Sequence, residues 1–417
     1  MQNEYGEILK KELILALGCT EPIALAYASA LAKSKLGKMP NRIEIAISGN
    51  IIKNVKGVIV PNTGGKRGIE VAVVAGLFSS KPESQLNVLE YVSSEDIAKI
   101  ELTIQSTEIF IVKVKNKSNL YIEITEYSGD DKVRVVIEDK HTNVTMIQKN
   151  DVLLLESQEM GEEESYDVYG FMSYRGIAEF AFGCEEQLYR ELLDLQISKN
   201  YGIAKIGLSE SFGMNIGKTV IQTARTSREK AIAYAAAGSD ARMSGSSHPV
   251  VINSGSGNQG MTVSLPIYIY CLSEDIPDER MYRALLFANL IAIYIKSKIG
   301  SLSAFCGAVS AASAVSGAIT YLRGGSEAEI ENSIKNAFSN LPGVICDGAK
   351  PSCAYKIYSS LDSAFLASDL ALNGTVAEGG CGIIFESVDK TISAIGEIGK
   401  VGMKQTDEVI LDIMTSW

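Results

Sequence analysis

The sequence predicts an α+β protein: an N-terminal α+β domain with an antiparallel sheet over residues 1–160, then a mainly α-helical domain over 161–417. Three observations predict it. Several short runs rich in β-branched residues follow one another before residue 150, separated by polar loops. Beyond residue 170 the pattern changes to Ala-rich stretches of helical character. Between the two halves lies an acidic segment, Glu156–Glu164, with the composition of a linker.

Taken in order, residues 4–37 read as helical. Thr20 carries the side chain of an N-cap, Pro22 suits a first helical turn, and residues 23–35 continue as an Ala-rich helix. Residues 42–52 alternate apolar and polar positions, which is the strand period. A turn-rich loop, Pro61 to Gly68, precedes an apolar helix near 69–78. Residues 100–105 (IELTIQ), 109–115 (IFIVKVK), 120–127 (LYIEITEY) and 132–139 (KVRVVIED) predict an antiparallel sheet with one wet face. In the second half, residues 174–200, 219–239, 280–298, 303–322, 327–339 and 357–371 read as helices with glycine-rich interruptions.

Composition excludes some function classes. The chain has 417 residues, 46% apolar and 21% charged, enough to bury a substantial core. Its net charge of -11, with both signs mixed along the chain, argues against nucleic acid or an anionic membrane as partner. A small molecule is the expected partner, and the sequence leaves a homodimer open. The N-terminus begins Met-Gln-Asn-Glu and shows no signal peptide. No apolar run reaches the length of a membrane span; residues 285–295 are apolar but short, and read as a buried helix. These features predict a cytoplasmic protein whose seven cysteines stay reduced. An odd count also suits disulfides badly, so the question becomes which cysteines bind something.

Cys346 and Cys353 bracket a loop in which Gly348 and Pro351 oppose continuous helix, so both thiols are free to converge on one centre. Cys306 stands at the start of a small-residue helix, where the helix N-terminus favours thiolate. Three thiolates with no histidine nearby suit a soft metal or an iron–sulfur cluster. The plainer alternative is a set of buried structural thiols. Zinc is the other metal reading, although only two histidines are present, His141 and His248, and the six-residue gap is wide for a zinc knuckle. Cys19 lies in Gly18-Cys-Thr-Glu-Pro just before a helix, where it is expected as a thiolate or as part of an anion site, while Glu21 also suits simple dipole compensation. Cys184, Cys271 and Cys381 read as structural.

Gly18-Cys-Thr-Glu-Pro-Ile-Ala-Leu-Ala-Tyr-Ala28, Cys346-Asp-Gly-Ala-Lys350 with Cys353, and Gly380-Cys-Gly-Ile383 together resemble the L-cysteine desulfidase family, which is related to the iron–sulfur L-serine dehydratases of bacteria. The resemblance spans nearly the whole chain in unbroken order. It implies a [4Fe-4S] cluster held by Cys306, Cys346 and Cys353, with one iron open to substrate, in the helical domain. It also implies that Cys19 faces the active site as an acid/base. The segment from Ser247 to Gly260 resembles the dehydratase segment beside the cluster, which makes His248, Asn253, Ser254 and Asn258 candidates for substrate contact; a glycine-rich loop and a structural histidine are the plainer readings. Thr20, Glu21, Asn50, Asn62 and Thr63 are further substrate-contact candidates, and Lys350 either neutralises charge near the cluster or closes the loop. Lys66 and Arg67 are weaker candidates for a carboxylate partner.

The expected reaction is β-elimination from L-cysteine to pyruvate, ammonia and hydrogen sulfide, with the open iron as Lewis acid and Cys19 as acid/base. The alternatives are an L-serine or L-threonine dehydratase on the same cluster, a non-catalytic iron–sulfur sensor, and a structural zinc protein. Pyridoxal phosphate chemistry is disfavoured because no lysine lies in a convincing Schiff-base context.

Overall fold

The computed structural model describes residues 2–156 and 168–416. The first half contains α1 (Gln2–Glu12), β1 (Leu15–Leu17), α2 (Thr20–Leu36), β2 (Arg42–Ile47), α3 (Gly49–Val55), α4 (Ile69–Leu77), α5 (Asp96–Ser106) and strands β3 (Glu108–Lys113), β4 (Tyr121–Ser128), β5 (Asp131–Glu138), β6 (Val144–Lys149) and β7 (Val152–Glu156). The described residues of the second half are almost entirely helical: α6 (Tyr174–Gly183), α7 (Arg190–Ser209), α8 (Ile216–Thr223), α9 (Ser227–Met243), the short β8 (Pro249–Val251), α10 (Gly257–Ser273), α11 (Asp278–Ile299), α12 (Gly307–Leu322), α13 (Glu327–Asn340), α14 (Cys353–Leu372), α15 (Val388–Glu397) and α16 (Lys404–Thr415). The protein is therefore α+β, as its sequence predicts. Of the expected linker, residues 157–164 lie outside the described residues.

Six strands form one sheet in the order β3-β2-β4-β5-β6-β7. The sheet is mixed rather than purely antiparallel, because β2 and β3 run parallel, with Arg42 opposite Glu108. The connection between them contains α3, α4 and α5, which gives the chain the crossover that a parallel pair needs. Ile43, Ile45 and Ile47 of β2 turn to the buried face together with Ile122 and Ile124 of β4 and Val133, Val135 and Ile137 of β5. The α2 helix covers that face, and its Ala-rich sequence lets it sit close to the strands.

Several local expectations are corrected. Residues 100–105 alternate in sequence yet lie in α5, because Ile97, Ile100 and Ile104 repeat at helical spacing and Ile100 is buried. The strand expected over 42–52 ends at Ile47, and α3 begins two residues later. The helix expected over 4–37 is interrupted by β1, which pairs antiparallel with β8, Leu15 opposite Val251. Residues 257–260, for which a glycine-rich loop is the plainer reading, open α10. Gly260 is required there, since a Cβ would lie 2.2 Å from the Val251 carbonyl oxygen.

One apolar core includes residues from both halves, from Tyr5 of α1 to Ile395 of α15. Residues 285–295 lie in α11, which is buried along most of its length. Among the described residues no helix is long and apolar enough to cross a membrane.

Candidate active site

Cys306 and Cys346 are brought together by backbone pairing. Phe305 and Ile345 form an antiparallel bridge, the Cys306 N–H donates to the Val344 carbonyl at 3.3 Å, and the Cys346 N–H donates to the Ala304 carbonyl at 2.6 Å. The chain then turns at Gly348, whose φ of 93° lies in the left-handed region and whose Cα sits against α3; a Cβ would meet the Lys53 carbonyl oxygen at 2.3 Å. Cys353 follows as the first residue of α14, with its sulfur 3.7 Å from the Gly348 carbonyl oxygen.

The three thiols share one electrostatic environment. Burial pushes Cys306 up to about 12, and Cys346 and Cys353 add to the effect. Burial also raises Cys353, again with Cys346 contributing. The expectation that the α12 N-terminus favours a Cys306 thiolate is thus reversed for the protein alone: desolvation and two neighbouring sulfurs outweigh the helix end. Such a set becomes favourable as thiolates once a cationic centre joins it. Among the described residues no group of three or more His, Cys, Asp or Glu side chains is drawn together tightly enough to hold a metal ion. Three converging cysteines without a histidine are the donor chemistry of an iron–sulfur cluster, which spreads its thiolates farther apart than a single ion does.

On the opposite side stands Cys19, the N-cap residue of α2, only 3% exposed. Its thiol donates to Glu21 Oε2 at 3.1 Å. The same carboxylate accepts from Asn54 Nδ2 at 3.0 Å and lies 3.1 Å from Thr20 Oγ1, while His141 Nε2 stands 3.8 Å from Oε1, beyond hydrogen-bond distance. Burial pushes Glu21 up, but His141 and the donors around it more than compensate, and its carboxyl is held at about 2. Burial, then the Glu21 charge, push the Cys19 thiol well above its ordinary range. This corrects the expected Cys19 thiolate: the resting form is a thiol whose proton lies on the hydrogen bond to Glu21. Cys19 forms a small buried cluster with Val58 and Met243, and Ala349 and Cys353 pack against that cluster.

A buried arginine closes this side. Arg242 Nε donates to the Gly18 carbonyl at 3.0 Å and Nη1 to Asn258 Oδ1 at 3.3 Å; Nη2 is buried without a partner among the described residues. Beside these groups opens a cleft of about 1020 Å³ whose lining includes Asn50, Lys53, His141, Ser254, Gly255 and Lys296. Cys19 and the three converging cysteines are not part of that lining. Asn50 Oδ1 and His141 Nε2 are buried without hydrogen-bond partners among the described residues. Burial lowers the Lys296 ammonium to about 8, opposed by Cys346 and Cys306. Lys53 is 1% exposed, forms an ion pair with Asp407 and donates to the Cys346 carbonyl at 3.3 Å, tying α16 to the cysteine loop.

The sequence candidates divide into two groups. Cys19, Thr20, Glu21, Asn50, Ser254 and Asn258 all fall in this region, with Thr20 Oγ1 donating to the Gly255 carbonyl at 2.8 Å. The others have side chains engaged within the fold. Asn62 donates to the Leu89 carbonyl and Thr63 to the Val60 carbonyl, which shapes their own loop. Asn253, fully buried, donates to Asn289 and accepts from Ser254 and Gln259. His248 lies against Gly202 of α7, outside the cleft lining, and burial lowers its pKa. Lys350 pairs with Asp347 and closes the cysteine loop. Lys66 pairs with Glu101. Lys53, Asn54, His141, Arg242 and Lys296 carry no motif, and only the presence of two histidines in the whole chain marked His141 for attention.

Comparison with known proteins shows the family. The family model for the serine dehydratase alpha chain matches residues 83–412. The chain belongs to the serine dehydratase alpha chain family. That family is associated with iron–sulfur serine dehydratases, so this member is a serine dehydratase-like lyase. Similar proteins named UPF0597 occur in Lachnoclostridium phytofermentans, 42% identical over 99% of this chain and all of that relative, and in Desulfitobacterium hafniense, 42% identical over 98% of this chain and 96% of the relative. A UPF0597 protein of Finegoldia magna is 43% identical, covering 99% of both chains. Their names state no substrate.

Proposed function

We propose that this family member is an iron–sulfur-dependent lyase that removes the β-substituent of L-cysteine, giving pyruvate, ammonia and hydrogen sulfide, and that it works in the cytoplasm. The observation that carries this reading is the cluster of Cys19, Val58 and Met243 with Cys353 packed against it: a proton-bearing thiol, hydrogen-bonded to a carboxylate, shares one small cluster with a member of the cysteine trio. Cys306, Cys346 and Cys353 are the residues to hold a [4Fe-4S] cluster, which when bound supplies a Lewis acid for the departing sulfur.

The remaining work falls to side chains of this chain. The Cys19 thiol donates to Glu21 Oε2 along a 3.1 Å hydrogen bond. Cys19 gives its proton to the departing sulfur and takes the α-proton in its place, so the thiol ends as it began, and the Glu21 carboxylate holds it in position. Asn54 and Thr20 keep the Glu21 carboxylate oriented for the exchange. Asn50 and Ser254 present polar groups to a substrate in the cleft. Aminoacrylate released from the site hydrolyses to pyruvate and ammonia.

The test is turnover by protein reconstituted with iron and sulfide under anaerobic conditions. A strong preference for L-cysteine over L-serine is expected; a strong preference for L-serine overturns the substrate assignment. That second reading, an L-serine dehydratase on the same cluster, is favoured by the description of the matching family. A second candidate for the base is His141, whose Nε2 is buried, unpartnered and beside Glu21. A His141→Ala variant that loses turnover while Cys19→Ala retains it would move the role to the histidine.

A further inference from the structure

We propose that the free edge of β3 is a dimer seam, where a second copy of this chain adds its own β3 in antiparallel register and the two sheets become one. The inference goes beyond the lyase reading and does not depend on it. β3 ends the strand order, and among the described residues no strand lies beyond it. Its apolar side chains stand in solvent: Phe110 is 49% exposed, Ile111 37% and Val112 56%. The backbone of this edge is open as well. The Glu108 N–H donates to the Asn41 carbonyl and the Val114 N–H to the Ile47 carbonyl, both toward β2. Direction alternates along a strand, so Ile109, Ile111 and Lys113 turn their N–H and C=O groups outward. Proteins blunt such an apolar edge with proline or a bulge. β3 has neither, and its register with β2 runs unbroken from Glu108 to Lys113.

What identifies the occupant as a second copy is the strand's own complementarity. β3 reads Glu108-Ile-Phe-Ile-Val-Lys113, acidic at its start and basic at its end, with Lys115 just beyond. Pairing about a two-fold axis at Ile111 sets that residue against its counterpart as a hydrogen-bonded pair. Phe110 then faces Val112 of the second copy, twice over by symmetry, an aromatic–β-branched pairing that sheets favour. Glu108 falls opposite Val114 of the second copy, so the acidic start of each strand runs along the basic end of the other. The far edge of the sheet lacks this match. β7 exposes Val152 to Leu155, but acids stand at both its ends, Asp151 and Glu156, and a bulge interrupts its pairing with β6. Two β7 strands would set acid against acid, and β7 joined to β3 would leave an edge open at each end and grow into a filament. Helix α16 stands at the end of the β3 edge, with Asp412 4.0 Å from Lys113, and leaves Val409 and Ile413 exposed beside it. Lys113, Val114 and Lys115 also line the cleft, so the seam runs to the cleft mouth.

Sedimentation velocity of the anaerobically prepared full chain at micromolar concentration tests the seam. A closed dimer is expected. Ile111→Pro removes an outward N–H that the fold does not use, and Val112→Glu places a carboxylate against Phe110 of the second copy. Each should weaken the dimer by about 100-fold or more, because every loss counts twice, with an unchanged circular dichroism spectrum. Val112 is exposed, so Val112→Glu decides the matter if the proline disturbs the strand. Leu154→Glu on β7 should leave the dimer as it is. A monomeric wild type, an open-ended polymer, a dimer that survives Val112→Glu, or a dimer broken by Leu154→Glu overturns the assignment.

Discussion

Glu126 offers a stability test that reaches the site through α2. Its carboxyl is fully buried in β4 beneath that helix, with Ser29 Oγ donating to Oε1 at 2.8 Å and Oε2 unpartnered among the described residues. Burial raises its pKa to about 8, with Ser29 and Lys33 opposing. Between pH 4.5 and about 8 the unfolded chain therefore carries the ionised group while the folded chain keeps the proton. Stability from this group is fully present below pH 4.5 and is lost as pH rises to about 8, by about 1.4 kcal/mol per pH unit. The whole window amounts to roughly 4–5 kcal/mol, an upper figure because a buried group relaxes or admits water when it ionises. Glu126→Gln keeps the shape and the Ser29 hydrogen bond but cannot ionise. Urea denaturation of both proteins from pH 5 to 9 should show similar stability at pH 5 and a growing advantage for the variant up to pH 8, flat beyond. Parallel profiles would show that the carboxyl is not held protonated and that the packing argument is wrong.

Three other outcomes follow from the geometry. Cys19→Ala should leave iron and sulfide content and cluster absorbance intact while turnover falls by about 100-fold or more, since proton transfer is lost and the three converging cysteines are untouched; unchanged turnover removes Cys19 from the chemistry. Lys53→Met should destabilise the fold by about 3–5 kcal/mol by leaving Asp407 without its buried partner; faster proteolysis near α16 is the readout, and an unchanged cleavage rate would contradict the tie between that helix and the cysteine loop. Glu21→Gln should lower stability near neutral pH and flatten its fall with acid, because the carboxyl held at about 2 contributes stability above pH 4.5 that is lost as pH falls through about 2; denaturation profiles of variant and wild type should converge at the acid end.

Much of the architecture was legible in the sequence because it rests on local patterns. Residues 109–138 alternate as strands do, and the Ala-rich stretches after residue 170 are helices. The exceptions are instructive. Residues 100–105 satisfy both periods, and only the additional Ile97 decides for a helix. The parallel β2–β3 pairing depends on a crossover that no local pattern encodes. At the site, Cys19, Cys306, Cys346 and Cys353 were found through motifs, whereas Lys296 and His141 acquire meaning only where distant segments meet around the cleft. Loop position marked Asn62 and Thr63 as substrate contacts and the resemblance marked Asn253, but each is engaged in bracing backbone or side chains nearby. The thiolate expected at Cys19 failed for an electrostatic reason: helix ends favour anions, yet burial beside an existing carboxylate outweighs that preference.

The most direct measurement is iron and sulfide counting with visible and electron paramagnetic resonance spectra on anaerobically purified protein, before and after L-cysteine is added. The account predicts about four irons and four sulfides per chain, a spectrum that changes when L-cysteine binds, and loss of both metal and signal in Cys306→Ser. Zinc in place of iron, or full iron retention in that variant, would contradict it.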